Sequence, residues 1–248
     1  MPKINLRGIN FDNVTIDEAV ALADRALKEN QQTVIYTPNA EIAQLAGEDQ
    51  EFHSILCRAD ILLPDGAGII LASEILKTPL KEKVAGVDFG ERILSLAAKN
   101  GYSIFFLGGK PSVAELAVQK KTAQYPGLSV VGTQNGYYKK EGIENDAVLQ
   151  KINDSGAQIL FVCLGAPLQE KWIDNNKSRL HSAKLIMGLG GTLDVFAETV
   201  RRAPKFFIRA RLEWFYRLLQ DPKRIGRTMK LPKYVLGTYR EKFFSRKS

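Results

Sequence analysis

A chain of 248 residues, 45% hydrophobic and 25% charged, is long enough for one large α/β domain, or a domain with an appendage, and can bury about three quarters of the surface its unfolded form exposes. It needs no disulfide or metal staple, and its two cysteines, Cys57 and Cys163, both in apolar contexts, read as buried free thiols of a reducing compartment. The net charge of +8 is unevenly divided: residues 201–248 hold 15 basic against 3 acidic residues, whereas residues 1–200 hold 20 against 24, and such a basic tail points toward phosphate on a nucleic acid or a membrane.

The opening residues Met1-Pro2-Lys3-Ile4-Asn5-Leu6-Arg7 carry no apolar core of signal-peptide length. No uncharged apolar run reaches about 18 residues, so no bilayer span is expected. Six short apolar runs follow, at 33–36, 61–63, 103–107, 128–131, 158–163 and 184–187. Apolar residues at consecutive positions are what strands covered on both faces require. Between the runs lie amphipathic stretches. In the first, Thr15 is the expected N-cap before Ile16, Ala19, Val20, Leu22 and Leu27 at helical spacing. Others run over 40–47, 67–77, 87–99, 111–124, 143–154 and 168–179. This order predicts an α/β fold, a largely parallel Rossmann-like sheet wrapped by helices, in residues 1–200. After Pro204 the pattern changes to aromatic and aliphatic residues interleaved with arginines. Residues 201–248 are therefore expected to form a basic helical appendage.

In an open parallel sheet ligands gather beyond the carboxyl ends of the strands. Each run here ends in polar or glycine-rich punctuation: Thr37-Pro38-Asn39, Pro64-Asp65-Gly66, Gly108-Gly109, a loop from Gly132 through Thr133 and Gln134 to Asn135-Gly136, Gly165 to Glu170, and Gly188 to Thr192. Gly108 and Gly109, opening a helix with free backbone N–H groups, suit a diphosphate, or simply make a tight turn. Gln169 is placed to bond a sugar hydroxyl, or belongs to a loop whose Pro167 starts the next helix. Asp65, held between Pro64 and Gly66, is the best acid/base candidate and equally a natural N-cap for the helix at 67–77. Asn39 has the same double reading for 40–47. The P-loop and dinucleotide fingerprints are absent. His53 and His181 have no metal-ligand spacing, and no two aspartates stand two apart, so neither a metal nor a cofactor is expected. Arginines would then neutralise a departing diphosphate.

These residues are similar to a known family. Thr37-Pro38-Asn39-Ala40-Glu41, Pro64-Asp65-Gly66-Ala67-Gly68, Val84-Ala85-Gly86-Val87-Asp88 and Gly165-Ala166-Pro167-Leu168-Gln169-Glu170-Lys171-Trp172 resemble the WecG/TagA/CpsF glycosyltransferases, glycosyltransferase family 26. So do Gly188 to Phe196, Arg202-Ala203-Pro204 and Leu212 to Leu218, and the likeness runs in order along nearly the whole chain. The resemblance implies inverting, metal-independent transfer from a UDP-sugar to a polyprenyl-diphosphate-linked sugar. The best-known member type adds N-acetylmannosamine to undecaprenyl-diphosphate-linked N-acetylglucosamine for wall teichoic acid. It implies Asp65 as the base, with Thr37, Asn39 and Gln169 lining the pocket. Lys83 stands where many members have arginine, keeping the charge without the fork.

From these readings the donor-binding set is Thr37, Asn39, Lys83, Gly108, Gly109, Asn135, Gly136, Gly165, Gln169 and Glu170. The expected diphosphate or membrane contacts are Arg202, Arg209, Arg211, Trp214, Arg217, Arg224 and Arg227. The enzyme is expected in the cytoplasm, peripheral on the inner face of the cell membrane, with an anionic leaflet as partner. The tail's apolar stripe has a second reading, packing on its own sheet or on another subunit as a homo-oligomer. A nucleic-acid module is the rival reading of the tail, but it leaves the six loops without a job and has no fold signature.

Overall fold

The computed structural model describes residues 2–222 and 225–244, without the side chains of Lys205 and Arg217. An antiparallel hairpin comes first, β1 (Lys3–Leu6) against β2 (Ile9–Asp12). Then α1 (Ile16–Lys28) starts at the expected cap: Thr15 Oγ1 accepts the Glu18 N–H, and the Glu18 carboxylate accepts the Thr15 N–H. This reciprocal box satisfies two of the helix's orphan donors. Next come β3 (Thr33–Tyr36), α2 (Ala40–Glu48), α3 (Gln50–Cys57), β4 (Ile61–Leu62), α4 (Ala67–Ile75) and α5 (Gly86–Asn100). The chain continues through β5 (Ser103–Gly108), α6 (Val113–Gln124), β6 (Ser129–Gln134), α7 (Gly142–Asp154), β7 (Ile159–Cys163) and α8 (Leu168–Asn176). After β8 (Leu185–Gly188) and α9 (Thr192–Phe196), the tail forms α10 (Lys205–Arg209), α11 (Glu213–Gln220), α12 (Ile225–Thr228) and α13 (Lys230–Phe244).

All six expected strands form one parallel sheet, in the order β4-β3-β8-β7-β5-β6. Because strand side chains alternate, each run feeds two cores. Val34, Tyr36, Phe105, Leu107, Leu160 and Val162 enter one. Ile35, Ile104, Phe106, Ile159 and Phe161 enter the other. Helices α2, α3, α4, α7 and α8 cover the first face, and α1, α5, α6 and α9 the second. Truncating one of these buried phenylalanines to alanine costs about 3–5 kcal/mol.

The tail helices lie against this body. Helix α13 packs on α2 and α4, and its Tyr234 is fully buried in the first core. The Arg7 guanidinium stands 4.9 Å over the Tyr234 ring and donates to the Tyr234 carbonyl at 3.2 Å. Phe206, Leu219, Leu236, Phe243 and Phe244 remain exposed. Three expectations need correction. Cys57 is exposed at the end of α3, and only Cys163 is buried, because the apolar neighbours Ile55 and Leu56 take the inward positions of that helix. Strand β6 runs on through Gly132, Thr133 and Gln134, which pair with β5 rather than forming a loop. As a sheet edge, β6 is also less covered than the central strands.

Candidate functional site

Neighbouring strands β3 and β8 send their following helices to opposite faces, α2 to one core and α9 to the other. The connections diverge there and leave a crevice at the carboxyl edge, where open α/β sheets take ligands. Thr37, just past β3, is buried at that edge without lining its cavity, and its hydroxyl donates to the Gly188 carbonyl at 3.4 Å. A Cβ on Gly86 would lie 2.7 Å from the Thr37 Oγ1. Glycine at 86 therefore lets the first turn of α5 approach the end of β3.

Asp65 faces that approach. Its Oδ2 accepts the Gly86 N–H at 3.4 Å, so the carboxylate meets the positive end of α5. It does not cap α4, which corrects one of its two readings. Gly66 holds the cap position with φ 82°, a conformation open to glycine without steric penalty, and among the described residues no side-chain cap bonds the first turn. Asn39 does cap, its Oδ1 accepting the Ile42 N–H at 3.0 Å. Asn39, Asp65 and Lys83 together line a cavity of about 530 Å³. Its opposite wall comes from the tail, through Ile208, Arg209, Arg211, Glu213 and Trp214. Two of the cations here have partners: Lys83 Nζ lies 3.7 Å from Glu213, and Arg211 lies 3.2 Å from Glu74.

Gln169 and Glu170 sit deeper and outside the cavity lining. The Gln169 amide donates to Glu170 Oε1 at 2.9 Å and accepts the Gly190 N–H at 2.9 Å. It thus ties α8 to the turn after β8. Glu170 Oε2 is buried with no partner among the described residues, and burial pushes its carboxyl up to about 7.

The model of the Glycosyl transferase WecG/TagA/CpsF family matches residues 4–248. The chain belongs to the WecG/TagA/CpsF glycosyltransferase family. It is 36% identical, over 84% of its length and 79% of the relative's, to the N-acetylglucosaminyldiphosphoundecaprenol N-acetyl-beta-D-mannosaminyltransferase of Bacillus subtilis (strain 168). Proteins of the same name from Bacillus spizizenii (strain ATCC 23059 / NRRL B-14472 / W23) and Staphylococcus aureus (strain MRSA252) are 35% and 34% identical. Those matches cover 89% and 94% of this chain, and 84% and 91% of the relatives.

Within this WecG/TagA/CpsF glycosyltransferase the loops of Gly108-Gly109, Asn135-Gly136 and Gly165 lie apart from the cavity lining, whereas Gly66 and Gly68 belong to it. Gly108 does not present a free anion cradle. The Gly109 N–H is given to the Cys163 carbonyl at 3.2 Å, α6 begins only at Val113, and a Cβ on Gly108 would overlap the Cys163 backbone. Its glycine serves the close contact with β7. Gly136 donates to the Gly109 carbonyl, and Asn135 Oδ1 accepts the Tyr137 N–H, which closes the turn after β6. Gly165, with φ 81°, leads into the cis Ala166–Pro167 bond before α8.

Of the tail arginines, Arg209 and Arg211 line the cavity, with Trp214 beside them. Arg202 forks onto Asp88 with two contacts of 2.6 Å. Hydrogen bonding to Asp88, with Glu213 and Asp65 nearby, holds its guanidinium above its ordinary value. Arg227 bonds Glu41 at 2.6 Å and the Ala166 carbonyl at 3.3 Å. Arg224 and the side chain of Arg217 lie outside the described residues. Sequence reasoning passed over Glu74 and Glu213, on helices, and Glu82, in the loop before α5, as cavity residues, since exposed-looking glutamates carry no signal of where a distant segment folds back.

Proposed function

We propose that this enzyme transfers N-acetylmannosamine from UDP-N-acetylmannosamine to the 4-hydroxyl of N-acetylglucosaminyl-diphospho-undecaprenol. The product is the β-1,4-linked disaccharide lipid of the wall teichoic acid linkage unit. The observation that carries the reading is the Asp65 carboxylate on the wall of the cavity between the sheet edge and the tail, and the names of the relatives agree with it. As the acceptor oxygen attacks the anomeric carbon, its proton passes to Asp65. The bond from that carbon to the diphosphate oxygen breaks, and UDP leaves with the electron pair. One displacement turns an α-linked donor into a β-linked product. General-base assistance of this kind is worth about 10²–10⁴ in rate.

The reaction needs no metal in this reading. The cations of Lys83, Arg209 and Arg211 stand along the cavity, where they can take up the charge of the departing diphosphate. Lys83 and Arg211 are paired with carboxylates, so an arriving diphosphate exchanges with Glu213 and Glu74. That exchange makes binding dependent on salt. Among the described residues no helix is long and apolar enough to cross a membrane. The acceptor is membrane-bound, so the basic tail, with Phe206, Phe243 and Phe244 exposed, meets the anionic inner leaflet, where each basic residue gains about 1 kcal/mol.

UDP release is the test, with a panel of UDP-sugars that includes mannosaminuronate and glucose donors and a short-chain lipid-diphosphate-sugar acceptor. N-acetylmannosamine should be the preferred donor, the product β-linked by NMR, and the rate unchanged by a chelator. Asp65→Asn that remains folded and turns over near the wild-type rate refutes the assignment of the base.

A further inference from the structure

Two of the family-like motifs, the one ending in Asp88 and the one opening with Arg202, stand 114 residues apart and have no role in the transfer step just described. They meet in the fold. Asp88 occupies the first turn of α5, two residues beyond Gly86, whose N–H faces the Asp65 carboxylate. Its two carboxylate oxygens each take one guanidinium nitrogen of Arg202, both at 2.6 Å. Ala203, the next residue, is buried. The chain then enters α10, and Ile208, Arg209, Arg211, Glu213 and Trp214 form the tail side of the cavity.

Among the described residues, ion pairs fasten that tail segment to α5 by Asp88–Arg202, to α4 by Glu74–Arg211, and to the loop before α5 by Lys83–Glu213. The second and third pairs are longer, at 3.2 and 3.7 Å, and their cations belong to the cavity itself. The Asp88 fork is the shortest of the three and stands at the root, where a small rotation becomes a large displacement farther along. A planar guanidinium gripped at both nitrogens fixes orientation as well as distance.

We infer that Asp88 is a positioning residue, whose grip on Arg202 sets the tail as a roof over the cavity and aligns it with Asp65. The inference rests on the proposed transfer reaction. A sugar nucleotide beside a carboxylate base is open to attack by water as well as by the acceptor alcohol, and a seated roof keeps water out. Asp88 thus governs how donor is partitioned between transfer and hydrolysis, without touching either substrate.

The experiment uses the full chain, UDP-N-acetylmannosamine and a short-chain lipid-diphosphate-N-acetylglucosamine acceptor, and measures disaccharide and free sugar separately. Misplacement of the order of 1 Å in a site can cost about 10²-fold, so Asp88→Asn should lower transfer at least about tenfold and raise the share of donor hydrolysed. The exchanged pair Asp88→Arg with Arg202→Asp should recover part of the transfer and lower hydrolysis again. Arg202→Gln reads the same fork from its other end should Asp88→Asn fail to fold. A wild-type partition in Asp88→Asn and Arg202→Gln overturns the inference, as does a loss of transfer matched by an equal loss of hydrolysis. An exchanged pair no better than the single variants overturns it too. A wild-type chain that transfers no sugar overturns the proposed function and this inference with it, whereas a wild type that transfers leaves the variants to decide on Asp88 alone.

Discussion

Replacing Glu170 by glutamine probes the buried end of the site through stability rather than turnover. Glu170 is 1% exposed, and its carboxyl, held near 7, keeps its proton well above the ordinary 4.5. In the unfolded chain that proton leaves near 4.5, and in the folded chain only near 7. As pH rises between these values the unfolded state has already lost its proton while the folded state retains it. Stability therefore falls across the window at about 1.4 kcal/mol per pH unit, about 3 kcal/mol in all, and levels off above it. Glutamine keeps an acceptor for the Gln169 amide and has no proton to lose. Urea unfolding at pH 5, 6, 7 and 8 should show the variant gaining on the wild type by up to about 3 kcal/mol by pH 8. In thermal scans that is roughly 6–12 °C for a chain of this size. A constant gap across the series would refute the reasoning, because it would mean that the folded carboxyl titrates where the unfolded one does.

Gly86→Ala should push the added methyl against Thr37, which would lie 2.7 Å away. It should cost about 1–3 kcal/mol in urea unfolding and lower UDP release with the acceptor, since the Gly86 N–H bonded to Asp65 must shift. Tyr234→Phe should leave stability unchanged or raise it, because the hydroxyl is buried without a partner among the described residues. Tyr234→Ala should cost about 3–5 kcal/mol, as a large aromatic leaves the core. Phe243→Asp with Phe244→Asp should weaken co-sedimentation with vesicles containing phosphatidylserine while leaving turnover on a short-chain acceptor intact. Point variants suit this test better than removal of residues 201–248, which would uncover the faces of α2 and α4 that α13 covers.

The sheet was legible because its strands are apolar at consecutive positions, as in Ile159 to Cys163, where all five residues are buried. The first hairpin escaped notice although Leu6-Arg7-Gly8-Ile9 carries its signal. Arg7 and Gly8 both have positive φ, at 53° and 85°, and two four-residue strands around so short a turn are easily read as an irregular leader. Helix α3 was hidden because α2 runs into it with Asp49 serving as the C-cap of one and the N-cap of the other, leaving no glycine or proline between them. At the site, Asn39 and Asp65 could be placed from the ends of their strands alone. What the chain did not disclose was tertiary: the inward turn of Gln169, the burial of Glu170, and the pairing of Asp88 with Arg202. Each depends on segments far apart in sequence, and the glutamate and aspartate involved look like ordinary residues of a solvated helix face.

The pairing of β3 with β8 has a consequence for how the molecule is assembled. Val34 and Ile35 join the centre of the sheet, yet their partners Ile186 and Met187 are made about 150 residues later. During synthesis β3 therefore waits with one bare hydrogen-bonding edge and an apolar surface, able to pair with the wrong strand until β8 arrives. Yield in a heterologous host should thus depend on chaperone supply more than the finished fold would suggest, and on how quickly the ribosome covers the stretch between the two strands.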